Sequence, residues 1–66
     1  MRTYSYSIQE AEYEGEGTIF FIVFHETRHL ITGDEWSEDI IASFPTRNEA
    51  TQTLSAILAE EARFYA

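Results

Sequence analysis

The chain contains no cysteine, no lysine and only one proline among its 66 residues. Without cysteine it can form neither a disulfide framework nor a thiolate metal site. A chain of this length is expected to fold as one domain, residues 1–66, and to bury only about 60% of the area that its unfolded form exposes. Such a small core predicts that very good packing, a metal or a second copy of the chain supplies additional stability.

Long apolar segments are also missing. The longest run, residues 19–24, has six apolar residues, whereas a bilayer-spanning helix needs about 20. The amino end passes from Met1 into polar residues rather than into an apolar secretory segment. We therefore expect a cytoplasmic protein with no membrane partner.

Basic residues are scarce, because four arginines face twelve acidic residues and the formal net charge is -8. Binding to nucleic acid requires basic side chains that replace the counterions of the phosphates, so nucleic acid is not expected as a direct partner. A basic or neutral protein is the expected class of partner. The hydrophobic content of 44% is too high for a disordered tail.

Two segments near the amino end have the patterns of β-strands. Residues 3–8 alternate between polar and apolar side chains, which is the period of a half-buried strand. Residues 18–24 are β-branched or aromatic throughout and favour a strand over a helix. Between them, Gly15 and Gly17 can take the positive φ that a hairpin turn requires.

A third strand and a helix are predicted in the second half. Residues 36–44 alternate again and end at Pro45, which cannot donate to a β-ladder. Residues 28–37 contain Gly33 and Asp34 and are predicted to form a loop, although Leu30 and Ile31 could extend a strand. Residues 46–49 read Thr-Arg-Asn-Glu, a capping box that predicts the start of a helix of about 18 residues.

The stripe of that helix that faces the sheet is predicted to comprise Ala50, Leu54, Ile57, Leu58 and Tyr65, with Glu61 as an acidic interruption. Residues 44–50 resemble the strand-to-helix junction of small modules with three strands and one helix, including the arm-binding domain of some tyrosine recombinases. That resemblance implies the same topology. It implies no binding residues, because those domains read DNA with basic sheet residues and this sheet offers Tyr, Ser and Glu.

The predicted fold is α+β, a three-stranded antiparallel sheet (β-β-β-α) with the C-terminal helix packed on one face. The side chains predicted to face the helix are Tyr4, Tyr6, Ile8, Phe20, Ile22, Phe24, Ile40, Ala42 and Phe44. The second strand is apolar on both sides, and one helix covers one face only. The opposite side is therefore predicted to be an interface between two copies of the chain, made by Ile19, Phe21, Val23 and Ile41.

Four alternatives to this arrangement remain open. Two copies could instead join strand edges across a two-fold axis. The two sides of the second strand could be exchanged, so that the other set faces the helix. A different protein could cover the open side. The segment 28–37 could fold back and close the molecule as a monomer with Leu30, Ile31 and Trp36.

Residues 25–29 read His-Glu-Thr-Arg-His, which resembles the H-E-x-x-H motif of zinc metalloproteases. On a helix, His25 and His29 would share one ion and Glu26 would activate water. On an extended strand the two histidines would lie about 13 Å apart. The preceding residues favour a strand, so we expect no metal, no cofactor and no catalytic residue; a minimal zinc hydrolase is the alternative, with no residue selected between Glu35 and Glu38 as third ligand.

Acidic residues concentrate in two places, and they define the candidate surface for a basic partner. The first group, at alternating positions, is Glu10, Glu12, Glu14 and Glu16, and the second is Asp34, Glu35, Glu38 and Asp39. The function expected from these features is a small non-enzymatic protein-binding module, such as a phage-type or regulatory inhibitor of a basic protein that handles nucleic acid. A solvated acidic face that aids solubility, weak metal binding by the carboxylates, or adaptation to high salt would explain the same residues.

Overall fold

The computed structural model describes residues 1–65. The elements are β1 (Arg2–Tyr13), β2 (Gly17–Leu30), β3 (Gly33–Phe44) and α1 (Arg47–Tyr65). The strands form one antiparallel sheet in the order β1-β2-β3, with β2 in the centre. Helix α1 packs on one face of this sheet, where Ile22 and Ala50 are fully buried. The predicted three-stranded antiparallel sheet with one C-terminal helix is therefore confirmed.

The turn between β1 and β2 has the predicted glycine chemistry. The amide of Glu16 donates to the carbonyl of Tyr13 at 3.1 Å, which closes the turn. Gly15 and Gly17 have φ values of 83° and 81°, a region that residues with a Cβ rarely occupy. The two glycines thus allow a tight reversal between two long strands.

The predicted loop at residues 28–37 is wrong over most of its length. Strand β2 continues to Leu30 and β3 begins at Gly33, so that only residues 31–32 lie in the turn. The physical reason is the pairing of side chains directly across the two strands, with an ion pair between Arg28 and Glu35 and a hydrogen bond between His29 and Asp34. The β2–β3 hairpin therefore extends outward and does not fold back over the sheet, and Ile31 at its tip is fully exposed.

The side of the sheet that faces α1 agrees with the prediction at eight of the nine residues. Residues that pair directly across two strands project on the same side of a sheet, and the pairing places these residues on the side that contains Ile22. These eight residues are Tyr4, Tyr6, Ile8, Phe20, Ile22, Phe24, Ala42 and Phe44. Aromatic contacts reinforce the row, since the Phe24 ring lies 5.5 Å from that of Tyr4 and 5.3 Å from that of Tyr6.

Ile40 is the ninth residue, and its predicted position is wrong. Ile22 pairs with Ala42 but Val23 pairs with Ile40, so Ile41 is the extra residue of a β-bulge. Because the bulge adds one residue to β3, it reverses the alternation for the rest of that strand. Ile40 therefore lies on the side away from the helix, where it is 66% exposed.

Helix α1 begins at the predicted capping box. The amide of Glu49 donates to the Thr46 hydroxyl at 3.2 Å, and that hydroxyl donates to the Glu49 carboxylate at 3.1 Å. At 19 residues the helix is about 28 Å long, shorter than the 14-residue strand β2 at roughly 46 Å. One helix therefore covers only part of one side of the sheet.

The predicted inner stripe of α1 is confirmed at four positions. Ala50 is buried, and Leu54, Ile57 and Glu61 are partly buried. Leu58 lies at the border of the stripe and is 47% exposed. The side chain of Tyr65 lies outside the described part of the structure.

Candidate interaction surfaces

The side of the sheet away from α1, here called the helix-free face, carries a group of apolar side chains. Val23 lies at its centre, opposite Ile40, and the pairing of Trp36 with Thr27 places Trp36 on the same side. Its residues are Ile19, Phe21, Val23, Trp36, Ile40 and Ile41. Three of them are largely exposed, with 74% for Trp36, 66% for Ile40 and 47% for Ile41. This surface joins apolar side chains from two strands around Val23, and the polar pair of His25 and Glu38 separates Trp36 from them.

The centre of the helix-free face is already closed by the neighbouring side chains. Val23 is only 3% exposed although no helix covers it. On the β1 side, Tyr13 packs its ring against Phe21 with the centroids 6.4 Å apart in an edge-to-face geometry. The face is therefore a preformed surface, with a closed centre and exposed residues around it.

The residues predicted from the sequence to form an interface fall together. Ile19, Phe21 and Val23 alternate along β2 on this side, and Ile41 stands in the bulge opposite Val23. Sequence reasoning missed Trp36 and Ile40. The alternation of residues 36–44 assigned both to the other side, and nothing in the pattern marks the position of the bulge.

Two series of polar side chains in contact with one another, here called polar chains, cross the sheet on this side. Ser7 Oγ lies 2.7 Å from His25 Nε2, and His25 Nδ1 lies 3.3 Å from a carboxylate oxygen of Glu38. Each chain takes one group from each strand, so the polar groups at this end of the helix-free face have partners within the sheet.

The second chain repeats the same order of groups toward the hairpin tip. Thr3 Oγ1 lies 3.4 Å from His29 Nε2, and His29 Nδ1 lies 3.1 Å from Asp34 Oδ1. The two chains have the atom order of a serine-hydrolase relay, hydroxyl to imidazole to carboxylate. A relay of that kind also requires donors aimed at the developing oxyanion, and its hydroxyl here belongs to a side chain in the middle of a regular strand.

The His-Glu-Thr-Arg-His motif lies entirely in β2. Four residues of a strand separate the two imidazoles by about 13 Å, and each imidazole has its own carboxylate. Glu26 faces the other side of the sheet, opposite Tyr4, and pairs with Arg2 at 3.7 Å. Among residues 1–65, no group of three His, Cys, Asp or Glu side chains is placed to hold a metal ion. The geometry of the zinc-protease motif is therefore not formed.

The two acidic groups do not form two continuous surfaces. Glu10 and Glu12 lie on β1, whereas Glu14 and Glu16 lie in the turn that follows. In the second group, Asp34 and Glu38 project on the helix-free side and Glu35 and Asp39 on the helix side, as their partners on β2 show.

Several of these carboxylates are paired within the chain. Glu10 bonds Arg47 at 3.1 Å and Glu35 lies 3.7 Å from Arg28, while Asp34 and Glu38 contact the two histidines. All eight residues of the two groups are solvent-exposed. The surface that remains for a basic partner is thus spread around the rim of the sheet.

A cleft lies on the other side of the sheet, between the sheet and the last part of α1. This open cleft has a volume of about 470 Å³ and is lined by Tyr4, Tyr6, Phe24 and Glu61. The Tyr6 hydroxyl donates to the Glu61 carboxylate and joins β1 to the helix. Two residues before Tyr4 on β1, a hydrogen bond with Tyr4 and the nearby charge of Glu26 raise the pKa of Arg2 above its ordinary value. Sequence reasoning placed these aromatic residues in the core and did not identify the cleft.

Within the described residues, no helix is both long and apolar enough to cross a bilayer. Comparison of the sequence and fold with protein-family models, with curated proteins and with solved structures found no match. The geometry of the surfaces is therefore the basis of the functional proposals below.

Proposed function

We propose that this protein is a non-enzymatic, protein-binding module that pairs with a second copy of itself through the helix-free face. The observation that carries the proposal is the apolar patch around Val23, where Ile40 and Ile41 are exposed and no element of residues 1–65 lies over the sheet. Trp36 is exposed on the same side, beyond the pair of His25 and Glu38. Several exposed apolar side chains grouped on one side of a small chain mark a contact surface.

The shape of the molecule supports a second copy as the occupant. The Cα atoms extend over 46 × 30 × 11 Å, so the broad side of this flat molecule is larger than the roughly 800 Å² that each partner contributes to a stable interface. Two such sides stack face to face across a two-fold axis, with residue i of one copy against residue j of the other and the reverse.

The arrangement of the β2–β3 hairpin supports the same occupant. Closure of a monomer by residues 28–37 would require this segment to turn back over the sheet. It instead continues the two strands, and its apolar residues Leu30 and Ile31 point outward at 38% and 107% exposure. The segment that would compete with a second copy is thereby used for pairing within the sheet.

We further propose that the outward surface of the dimer binds a basic protein. The net charge of -8 per chain supports this, because a strongly acidic surface attracts basic partners over long range. An inhibitor that occupies the basic surface of a protein that handles nucleic acid fits these requirements. Glu12, Glu14 and Glu16 are exposed at one end of the sheet and are the candidate contact residues.

Sedimentation velocity over a range of concentrations tests the self-association. We expect a species of twice the 7.7 kDa chain mass that dissociates on dilution, because self-association follows mass action. A single species of monomer mass at every concentration would overturn the dimer.

A pull-down with the immobilised protein at low and high salt tests the binding of a basic protein. Retention of basic proteins that does not decrease with added salt would overturn this second part of the proposal.

A further inference from the structure

We propose that the cleft between β1, β2 and the end of α1 binds an arginine side chain of a basic partner protein. The proposal concerns the side of the sheet that carries the helix. It rests on the proposed binding of a basic protein and names a site for it, and it is separate from the proposed dimer, which uses the opposite side.

The groups that line the cleft are those that recognise a guanidinium. Tyr4, Tyr6 and Phe24 present aromatic rings around one space, with the Phe24 ring within 5.5 Å of each tyrosine ring. A cation over the face of such a ring is attracted by its quadrupole. Glu61 supplies a carboxylate on the helix side of the same space. Its second oxygen and remaining lone pairs can accept from a guanidinium while Tyr6 donates to it.

The position of Glu61 is a reason to assign a ligand. It is the single acidic residue in the inner stripe of α1, at a place where an apolar side chain would extend the core. The four arginines of the chain contact other carboxylates, namely Glu26, Glu35, Glu10 and Glu60. In the described residues the Glu61 carboxylate thus receives a hydrogen bond from a tyrosine but forms no ion pair.

The chain contains its own example of the proposed contact on the same side of the sheet. Arg47 lies over the Phe20 ring, 5.2 Å from the centroid, and bonds Glu10 at 3.1 Å. Glu10 and Phe20 are direct partners across β1 and β2. Four residues further along β2, Phe24 with Tyr6 and Glu61 repeats the combination of ring and carboxylate. The example shows that a guanidinium fits this combination of ring and carboxylate. A guanidinium stacks flat on a ring and forks toward a carboxylate, which a compact ammonium does not do.

The charges around the cleft favour a cation. Asp39 lies directly across from Phe24 on this side, and Glu26 lies across from Tyr4. The nearest positive charges on this side belong to Arg2 and Arg28, which face each other across β1 and β2 and pair with Glu26 and Glu35, each at 3.7 Å. With Glu61 included, carboxylates outnumber guanidinium groups around the cleft, so a cationic side chain enters an attractive field.

Titration of the full-length protein with the capped peptide acetyl-Gly-Arg-Gly-amide, followed by NMR, tests the proposal. We expect shifts of the ring signals of Tyr4, Tyr6 and Phe24 that saturate with peptide. The matched peptide with citrulline has the same shape without the charge, and it should bind about tenfold more weakly or not at all. The lysine peptide should bind several-fold more weakly than the arginine peptide.

The variant Glu61→Gln removes the charge and keeps an oxygen that accepts from Tyr6, so the fold is retained. It should weaken binding of the arginine peptide about tenfold. Glu60→Gln is the matched control, because Glu60 is the adjacent residue and pairs with Arg63 on the exposed side of the helix; it should bind as the unaltered protein does. Equal losses in both variants, equal binding of the citrulline or lysine peptide, or shifts that map to the helix-free face would each overturn the proposal.

Discussion

Val23 and Ile40 lie directly opposite each other on β2 and β3, on the side of the sheet without a helix. The pairing exists because the extra residue Ile41 shifts the register between Ala42 and Ile40. Without that bulge Val23 would pair with Ile41, and Ile40 would point toward the helix. The bulge thus adds Ile40 beside Ile41 to the helix-free face, so that β3 contributes two neighbouring apolar side chains there.

Phe21→Asp is expected to abolish self-association. Phe21 lies on the helix-free face beside Val23, and the carboxylate would be buried without a partner in the dimer while the phenyl contact is lost. We expect the dissociation constant to rise by about 100-fold or more, which sedimentation velocity measures directly.

Thr51→Asp is the matched control for this substitution. It adds the same charge at an exposed position of α1 and should leave the dimer in place. Far-UV circular dichroism of both variants checks that the sheet and helix are formed. Unchanged sedimentation of a folded Phe21→Asp variant would contradict the proposed interface.

Trp36 provides an intrinsic probe of the same interface. It is the one tryptophan of the chain, and its side chain is 74% exposed on the helix-free face. Burial in the dimer should shift its fluorescence to shorter wavelength, and dilution over about a thousandfold should reverse the shift by mass action. Phe21→Asp should show the long-wavelength emission at every concentration. Emission independent of concentration in the unaltered chain, measured where sedimentation shows dissociation, would place Trp36 outside the interface.

The sequence was sufficient to predict the element order, because the alternation around Tyr6 and the composition of residues 18–24 are local patterns. Which side of β2 meets the helix stayed open, because residues 18–24 are apolar on both sides. The capping box at Thr46 was equally readable, because it depends on side chains three residues apart.

The length of the β2–β3 hairpin and the bulge at Ile41 were not predictable in this way. The polar residues 28–37 form strands because the charges of Arg28 and Glu35 meet across two strands, and a single segment does not show which residues will face each other. The bulge likewise depends on the register between strands. The cleft beside Glu61 requires knowledge of where the end of the helix crosses β1, which is a property of the packed chain.

Thr46→Ala is expected to destabilise the protein by about 1 kcal/mol. The substitution removes the hydroxyl that accepts from the Glu49 amide at 3.2 Å, so one amide of the first turn loses its partner. Urea unfolding at a fixed protein concentration measures the change. The control Thr51→Ala lies within the helix at an exposed position and should be neutral or slightly stabilising because alanine favours helices. An equal effect of both variants would indicate that the cap contributes nothing.

Ser7 is expected not to react with fluorophosphonates. Its hydroxyl lies 2.7 Å from His25. In a non-enzymatic module, the contacts from Ser7 through His25 to Glu38 only link the three strands of the sheet. Mass spectrometry of protein incubated with the reagent should show no adduct above that of His25→Gln. An adduct on Ser7 that disappears in His25→Gln would contradict the non-enzymatic proposal and identify an activated nucleophile.

Added sodium chloride should act in opposite directions on the two proposed contacts. Two chains of net charge -8 repel each other, so an increase from about 0.05 to 0.5 M salt, which shortens the Debye length from about 14 to 4 Å, should tighten an apolar dimer about threefold or more. The same change should weaken binding of the arginine peptide by a similar factor, because salt screens the attraction between its positive charge and the carboxylates.

The peptide titration is done with Phe21→Asp as well, so that dimerisation does not alter the comparison. A dimer weakened by salt would mean that ion pairs rather than Val23 and its neighbours hold the two copies together.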